Sequence, residues 1–219
     1  MTVQLPYRDQ PFDLCPTKIV AVAKNYRAHA AEMNSNVPFE PRFFLKPPSA
    51  LLAPGGQVRR PVMSRRIEHE VELAVIMGRR GRDIPEEEAL EYVAGYTILV
   101  DVTARDLQQQ AKEQGMPWTI AKGFDTFAPV GPCIIPAAGI DPQILDIWLK
   151  VNDEFRQNSN TRHMVFTVAR LIAYISRIMT LESQDIIATG TPEGVGPLEP
   201  GDSVAAGIES IGILKFTVV

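Results

Sequence analysis

The sequence has little cysteine: two residues, Cys15 and Cys133, among 219. Two cysteines cannot build the disulfide framework that holds small secreted domains together. No apolar run is long enough to span a bilayer. Charge is not concentrated either. The formal net charge is -4, and no long acidic or basic block occurs. Neither nucleic acid nor an anionic membrane surface is therefore expected as a partner. The first eight residues lack the basic and apolar regions of a signal peptide, so a cytoplasmic protein is expected. There is no internal repeat and no low-complexity linker.

What is present is ordinary for a globular chain: 45% hydrophobic and 22% charged residues, enough to bury a large core. The 18 prolines and 15 glycines are many for a helical bundle and point to a β-rich fold with many turns. A short peripheral arm is expected over residues 1–16, followed by a single domain over 17–219. Strands are expected at 18–23, 43–46, 96–101 and 145–152. Alanine-rich helical character covers 25–33. Acidic residues after Ile84-Pro85 predict a helix that stops at Gly95. Thr103 followed by Asp106 predicts a capped helix start, with a stop at Gly115. The stretch 127–142 reads as turns with apolar pieces. Val168, Leu171, Ile172, Ile175 and Ile178 fall at helical spacing within 165–179.

The most informative stretch is Glu68-His69-Glu70-Val71-Glu72, which runs into Leu73-Ala74-Val75-Ile76-Met77. The apolar half predicts a buried strand. Side chains two apart on a strand share a face, so Glu70 and Glu72 project together. Two carboxylates leaving a core side by side repel, and desolvating both is costly. A divalent cation with a taste for oxygen removes that cost. The alternative is a strand end that emerges into solvent. Asp101, at the end of another apolar strand, could supply a third oxygen, or it could cap the helix that follows.

Three histidines remain to be weighed. His29 and Glu32 are three apart on a helix and can touch, as a general base with its orienting carboxylate or as a surface pair. His69 points away from the proposed ligands by strand alternation and is read as structural. His163 is assigned no role. His-Glu-Val-Glu-Leu is not the His-Glu-x-x-His of a zinc peptidase. Lys122 is a lone charge among aromatic and small residues, either a pocket lysine or one that snorkels outward. The loop Thr189-Gly190-Thr191-Pro192-Glu193-Gly194 lacks the Gly-Lys-Ser/Thr ending of a nucleotide P-loop.

Seven segments occur together in one order: NYRAHAAEM, FFLKP, HEVELAVIMG, GYTILVDVTARDLQ, PWTIAKGFD, LIAYIS and TGTPEGVGPLEPGD. In that combination the chain resembles the fumarylacetoacetate hydrolase family, and in particular its short single-domain branch of acylpyruvate hydrolases and oxaloacetate decarboxylases. The resemblance implies an α+β fold, a β-rich mixed-sheet roll, usually in a homodimer. It implies Glu70, Glu72 and Asp101 as ligands of Mg²⁺ or Mn²⁺. It implies His29 and Glu32 as the dyad that activates water, with Lys122 beside the reacting carbonyl. Lys46, Arg105, Gln108 and Thr191 match positions that bind substrate, and Tyr26 and Phe124 are expected near its acyl group. The loop over 33–41 is a candidate lid.

The activity so implied is hydrolysis of the C3–C4 bond of 2,4-dioxo acids, acylpyruvates such as fumarylpyruvate or acetylpyruvate, to pyruvate and a carboxylic acid. The alternative is an oxaloacetate decarboxylase or a related 2-oxo acid decarboxylase or isomerase. A catalytically silent metal-binding scaffold is a third reading, although a scaffold needs none of His29, Glu32 and Lys122. The chain departs from the family pattern at three places. The stretch Val20-Ala21-Val22-Ala23-Lys24-Asn25, where longer members can place an extra aspartate ligand, has no carboxylate, so water must complete the metal shell. Ala23-Lys24 stands where Gly-Arg is common. Ser183-Gln184 replaces a Pro-Gly turn.

Overall fold

The computed structural model describes residues 1–33 and 35–219. Asn34, inside the expected lid loop over 33–41, lies outside the described residues. The strand Val71–Met77 is buried along its whole length. Alternation divides its side chains between two apolar clusters: Leu73, Val75 and Met77 join one, Ala74 and Ile76 the other. A strand covered on both faces needs this unbroken apolar run.

Val71–Met77 lies inside a nine-stranded sheet. From one edge the order is Gln10–Leu14, Val3–Tyr7, Ala128–Pro136, Val93–Val100, Val71–Met77, Ile186–Ala188, Ile19–Ala23 and Arg42–Lys46, with Leu51–Leu52 attached to Ala128–Pro136. Val71–Met77 is antiparallel to both neighbours, whereas Ile186–Ala188 runs parallel to Ile19–Ala23. The larger apolar cluster joins this sheet to a five-stranded sheet and to the helix Val168–Ile178, through Leu149, Val204, Phe216, Leu171, Ile172 and Ile175. A three-stranded sheet sets Ile67–His69 between Thr103–Ala104 and Gly196–Leu198. This is the β-rich mixed-sheet α+β roll expected from the sequence. No helix among the described residues is long and apolar enough to cross a membrane.

The helix Val168–Ile178 starts where Thr167 Oγ1 accepts the Arg170 N–H at 3.1 Å. The helix Arg105–Gln114 stops at Gly115, at φ +65°. Its start differs from the expectation. Ala104 holds the cap position without a side-chain bond. Thr103 is paired with Glu68 in the small sheet, and Asp106 instead accepts from Ser64 Oγ at 2.6 Å and Arg65 N at 2.8 Å. The helix expected after Pro85 is a 3₁₀ segment, Glu86–Tyr92. Gly95 does not end it but lies within Val93–Val100, where a Cβ would stand 2.2 Å from the Ile135 carbonyl oxygen. The turn-rich stretch is largely a strand, Ala128–Pro136. Its register against Val93–Val100 shifts between Gly131 and Ile135. That irregularity accommodates Pro132, which has no N–H to give a ladder.

The expected peripheral arm belongs to the main sheet. Val3–Tyr7 and Gln10–Leu14 form a hairpin whose turn residues, Arg8 and Asp9, have φ of 51° and 59°. Leu5 and Leu14 are fully buried in the smaller cluster. Leu5→Ala should therefore lower unfolding free energy by about 2–5 kcal/mol in a urea titration. A loss well below 1 kcal/mol, on the order of a surface substitution, would mean that the hairpin is peripheral after all.

Candidate metal centre and its cavity

Glu72 lies in the strand Val71–Met77, and Glu70 lies at the break between that strand and Ile67–His69. Asp101 follows directly on Val93–Val100. The Asp101 N–H donates to the Glu70 carbonyl at 2.8 Å, so the two strand ends meet. Each of the three carboxylates offers an oxygen within 4.8 Å of the others. None of them emerges into solvent: Glu70 is 7% exposed, Glu72 1% and Asp101 1%. Asp101 does not cap the following helix, because Ala104 holds that position.

Burying three carboxylates together is costly unless charge of the other sign is near. Lys122 Nζ donates to Asp101 Oδ2 at 2.6 Å, to Glu70 Oε2 at 3.0 Å and to Thr103 Oγ1 at 2.5 Å. Lys46 Nζ donates to Asp101 Oδ1 at 2.7 Å and to the carbonyls of Lys122 and Val102. Arg105 reaches Glu70 Oε1 at 2.6 Å and also bonds Glu68 and Gln108. Burial alone would raise the Glu70 carboxyl, but Lys122 and then Arg105 hold it far below the usual carboxylate range. Burial opposes the charge on Lys122, yet Asp101 and Glu70 raise its ammonium above the ordinary lysine range. Burial holds Lys46 below that range.

Glu72 is the exception. Among the described residues it makes no ion pair and accepts only the Gly190 N–H, at 2.7 Å. Burial, and then the charges of Asp101 and Glu70, push its carboxyl well above the usual range. The carboxyl left without a cationic partner is thus one of three convergent oxygen donors. That donor set fits a hard divalent cation such as Mg²⁺ or Mn²⁺.

A cavity beside the carboxylates is lined by His29, Glu70, Glu72, Arg105, Gln108, Lys122 and Thr191, together with Lys24, Phe44, Lys112 and Trp118. His29 is buried and places Nδ1 3.2 Å from Glu32 Oε2. This is not a pair lying on the surface, although Glu32 itself is partly exposed. The Gly194 N–H holds Glu32 at 3.1 Å. Lys122 does not snorkel outward, being 1% exposed. Lys46, expected at the substrate, is turned instead to the far side of Asp101 and does not line the cavity. Tyr26 and Phe124 do not line it either. Tyr26 is wholly buried, and Phe124 packs on Phe127 with ring centres 5.1 Å apart. Phe44 and Trp118, which were not expected there, are the aromatic residues that line it.

Three residues outside the expected set hold this arrangement. Gln157 Oε1 accepts the Val71 N–H at 3.0 Å and faces His69 Nδ1 at 3.0 Å. Its Nε2 donates to Thr191 Oγ1 at 2.8 Å and to the Pro192 carbonyl at 2.9 Å. Gln157 therefore clamps both chain neighbours of Glu70 to the Thr191 loop, which gives His69 its structural part. Asn25, fully buried, bonds the carbonyls of Thr189 and Phe166 and the Phe166 N–H. Glu68 orients Arg105. Gln157 is hard to single out in Glu154–Asn160, where polar residues occupy both faces of the strand.

Residues 18–219 match a family model described as fumarylacetoacetate (FAA) hydrolase C-terminal. The chain is 56% identical over 218 residues to an uncharacterised protein of Pyrococcus horikoshii, covering 100% of this chain and 95% of that protein. It is 49% identical over 202 residues to the mitochondrial oxaloacetate tautomerase FAHD1 of Arabidopsis thaliana, covering 92% of this chain and 91% of the relative. The crystal structure of fumarylpyruvate hydrolase from Pseudomonas aeruginosa, in complex with Mn²⁺ and pyruvate, matches with a TM-score of 0.93 at 37% identity, over 100% of this chain and 95% of that one.

Two outcomes follow from the geometry. A carboxyl raised on folding contributes stability below its unfolded value and loses it as pH rises through the folded value. Without metal, Glu72→Gln should raise the thermal midpoint at neutral pH and shrink the further rise that Mn²⁺ produces. An unchanged midpoint would mean that Glu72 carries no uncompensated charge. Gln157→Ala should weaken Mn²⁺ binding by roughly 10-fold or more, measured calorimetrically, since it frees both sides of a ligand. A fall in stability with unaltered Mn²⁺ affinity would make the clamp purely structural.

Proposed function

Because this chain belongs to the fumarylacetoacetate hydrolase family, we propose from its site that it is a divalent-metal-dependent enzyme of 2-oxo acids, hydrolysing the C3–C4 bond of 2,4-dioxo acids. One observation carries the reading: a buried His29, oriented by Glu32, lines the same cavity as Glu70 and Glu72, two of the three convergent carboxylates. A Mg²⁺ or Mn²⁺ ion held by Glu70, Glu72 and Asp101 would stabilise negative charge on a substrate oxygen, a contribution of several kcal/mol.

The chain's own groups do the rest. Glu32 fixes the proton of His29 on Nδ1 and leaves Nε2 as the base. His29 takes a proton from water, and the resulting hydroxide attacks C4. Such acid–base help is worth roughly 10²- to 10⁴-fold. The Lys122 ammonium, kept charged by its carboxylate neighbours, stabilises the oxyanion that develops on C4. As the C3–C4 bond breaks, C4 leaves as a carboxylic acid, and its electron pair passes to the pyruvate fragment, which is protonated at C3. Arg105, Gln108 and Thr191 present donors for the substrate carboxylate. Lys46 holds Asp101 in place from behind.

A second reading is favoured by the plant relative named oxaloacetate tautomerase. In it the same base moves the C3 proton of oxaloacetate between keto and enol forms, and no water attacks.

The test is spectrophotometric, with acetylpyruvate, fumarylpyruvate and oxaloacetate, each with Mg²⁺, Mn²⁺ or EDTA. Metal-dependent loss of the dioxo-acid absorbance, with matching pyruvate, supports hydrolysis. Decay of oxaloacetate enol absorbance without pyruvate supports tautomerisation, and pyruvate formed from oxaloacetate supports decarboxylation. No change with any metal would sink the enzyme reading. His29→Ala should lower the hydrolytic rate by about 10²- to 10⁴-fold. Hydrolysis undiminished in that variant would remove His29 from water activation.

A further inference from the structure

A lysine ammonium has three N–H groups to give, and at Lys122 each is taken. Asp101 Oδ2 and Glu70 Oε2 accept two, and Thr103 Oγ1 accepts the third at 2.5 Å. Glu70 and Asp101 belong to the convergent donor set as well. Their carboxylates serve the lysine and the metal site at once, whereas the Thr103 hydroxyl lies outside that set. It is also the one neutral acceptor of the three. The ammonium stands 4.9 Å from the centre of the Phe44 ring, a wall of the cavity that Lys122 itself lines.

Thr103 is built to hold still. It is fully buried and sits on the short strand Thr103–Ala104, opposite Glu68 in the small sheet. Branching at Cβ restricts its side-chain rotamers. Its hydroxyl proton has two acceptors in reach, Glu70 Oε1 and the Asp101 carbonyl, both at 3.3 Å. Donating that proton leaves the oxygen lone pairs for Lys122. Without the hydroxyl, a buried N–H of a charged group would lose its acceptor, which is costly.

We propose that Thr103 is a positioning residue: its hydroxyl fixes where the Lys122 ammonium stands beside the metal donors, and through Lys122 it supports the reaction. The inference rests on the reading that Lys122 stabilises an oxyanion on the substrate. With every N–H engaged, Lys122 acts on that oxygen through its charge. Stabilisation of this kind depends on the charge being held in place before the reaction begins. Thr103 does not line the cavity itself, so its effect passes through the lysine.

The test separates position from turnover. In the Mg²⁺-loaded protein with isotope-labelled lysine, the Lys122 ammonium is identified by its absence from Lys122→Met, and hydrogen exchange of its protons is followed by NMR. Thr103→Val should speed that exchange by about 10-fold or more, the scale of one lost hydrogen bond to a charged group, while the amide protons of Val71–Met77 keep their wild-type rates. Thr103→Ser, which restores the hydroxyl, should slow it again. Thr97→Val makes the same change at a buried threonine whose hydroxyl has no partner among the described residues, and it should leave Lys122 unaltered. With acetylpyruvate, Thr103→Val should lower kcat by about 10-fold with KM nearly unchanged, as for an interaction that matters in the transition state. Thr103→Ser should recover most of that loss. Should Thr103→Val fail to fold, Thr103→Ala removes the same hydroxyl. Lys122 protons that exchange as fast in wild type as in the variant overturn the proposal, as does faster exchange with kcat unaltered. Amide protons that quicken along with the lysine overturn it too, since the hydroxyl would then hold only the fold. If wild type turns over no 2-oxo acid, the proposed reaction fails, and the exchange of Lys122 still decides whether Thr103 places it.

Discussion

The structure depends on one electrostatic constraint: three carboxylates must converge inside a protein without forcing it apart. Glu70 and Asp101 are compensated by Lys122, Lys46 and Arg105, whereas among the described residues Glu72 has only the Gly190 N–H. Desolvated charges of one sign are tolerated only when opposite charge and hydrogen-bond donors meet them with good geometry. The imbalance at Glu72 is what a divalent cation would relieve. The same constraint accounts for the buried lysines. Lys46 and Lys122 are almost completely enclosed, a position lysine rarely takes without a carboxylate partner.

The main sheet provides the rigidity that this charge cluster needs. Val71–Met77 and Val93–Val100 are paired along their length, so the ends that carry Glu72 and Asp101 cannot drift apart. Covering both sheet faces with apolar clusters excludes water from the carboxylates and strengthens every contact among them. The small sheet, Gln157 and Asn25 then attach the segments that carry Arg105, Thr191 and His29. Residues far apart in sequence, Glu70 and Thr191 for instance, are thereby held in one cavity by hydrogen bonds that cross the fold.

Much of this was legible in the residues. The unbroken apolar run after Glu72 reads as a doubly covered strand, and Glu70 and Glu72 stand out at its start because strand alternation puts both on one face. The helices at 105–114 and 168–178 were marked by Gly115 and by apolar spacing. Sequence could not show that the strand ends of Glu70 and Asp101 meet, because strand pairing is a long-range choice. It also misplaced Lys46. A lysine that ends a strand near a proline pair gives no sign of whether it faces the cavity or supports a ligand from behind. The hairpin at 1–16 was missed as part of the sheet, since its five-residue strands carry polar residues outward and few apolar ones inward. Gly95 looked like a helix stop because its real cause, close approach of Ile135, lies forty residues away in sequence.

The central claim is that the buried carboxylates form one divalent-metal site open to a 2-oxo acid. Its most direct test is a titration of the metal-stripped protein with Mn²⁺, followed by electron paramagnetic resonance and water-proton relaxation. One tightly held ion per chain should appear, displaced by Mg²⁺, and its relaxation enhancement should fall when pyruvate replaces coordinated water. Weak, non-stoichiometric Mn²⁺ binding, or a signal indifferent to both Mg²⁺ and pyruvate, would contradict the account.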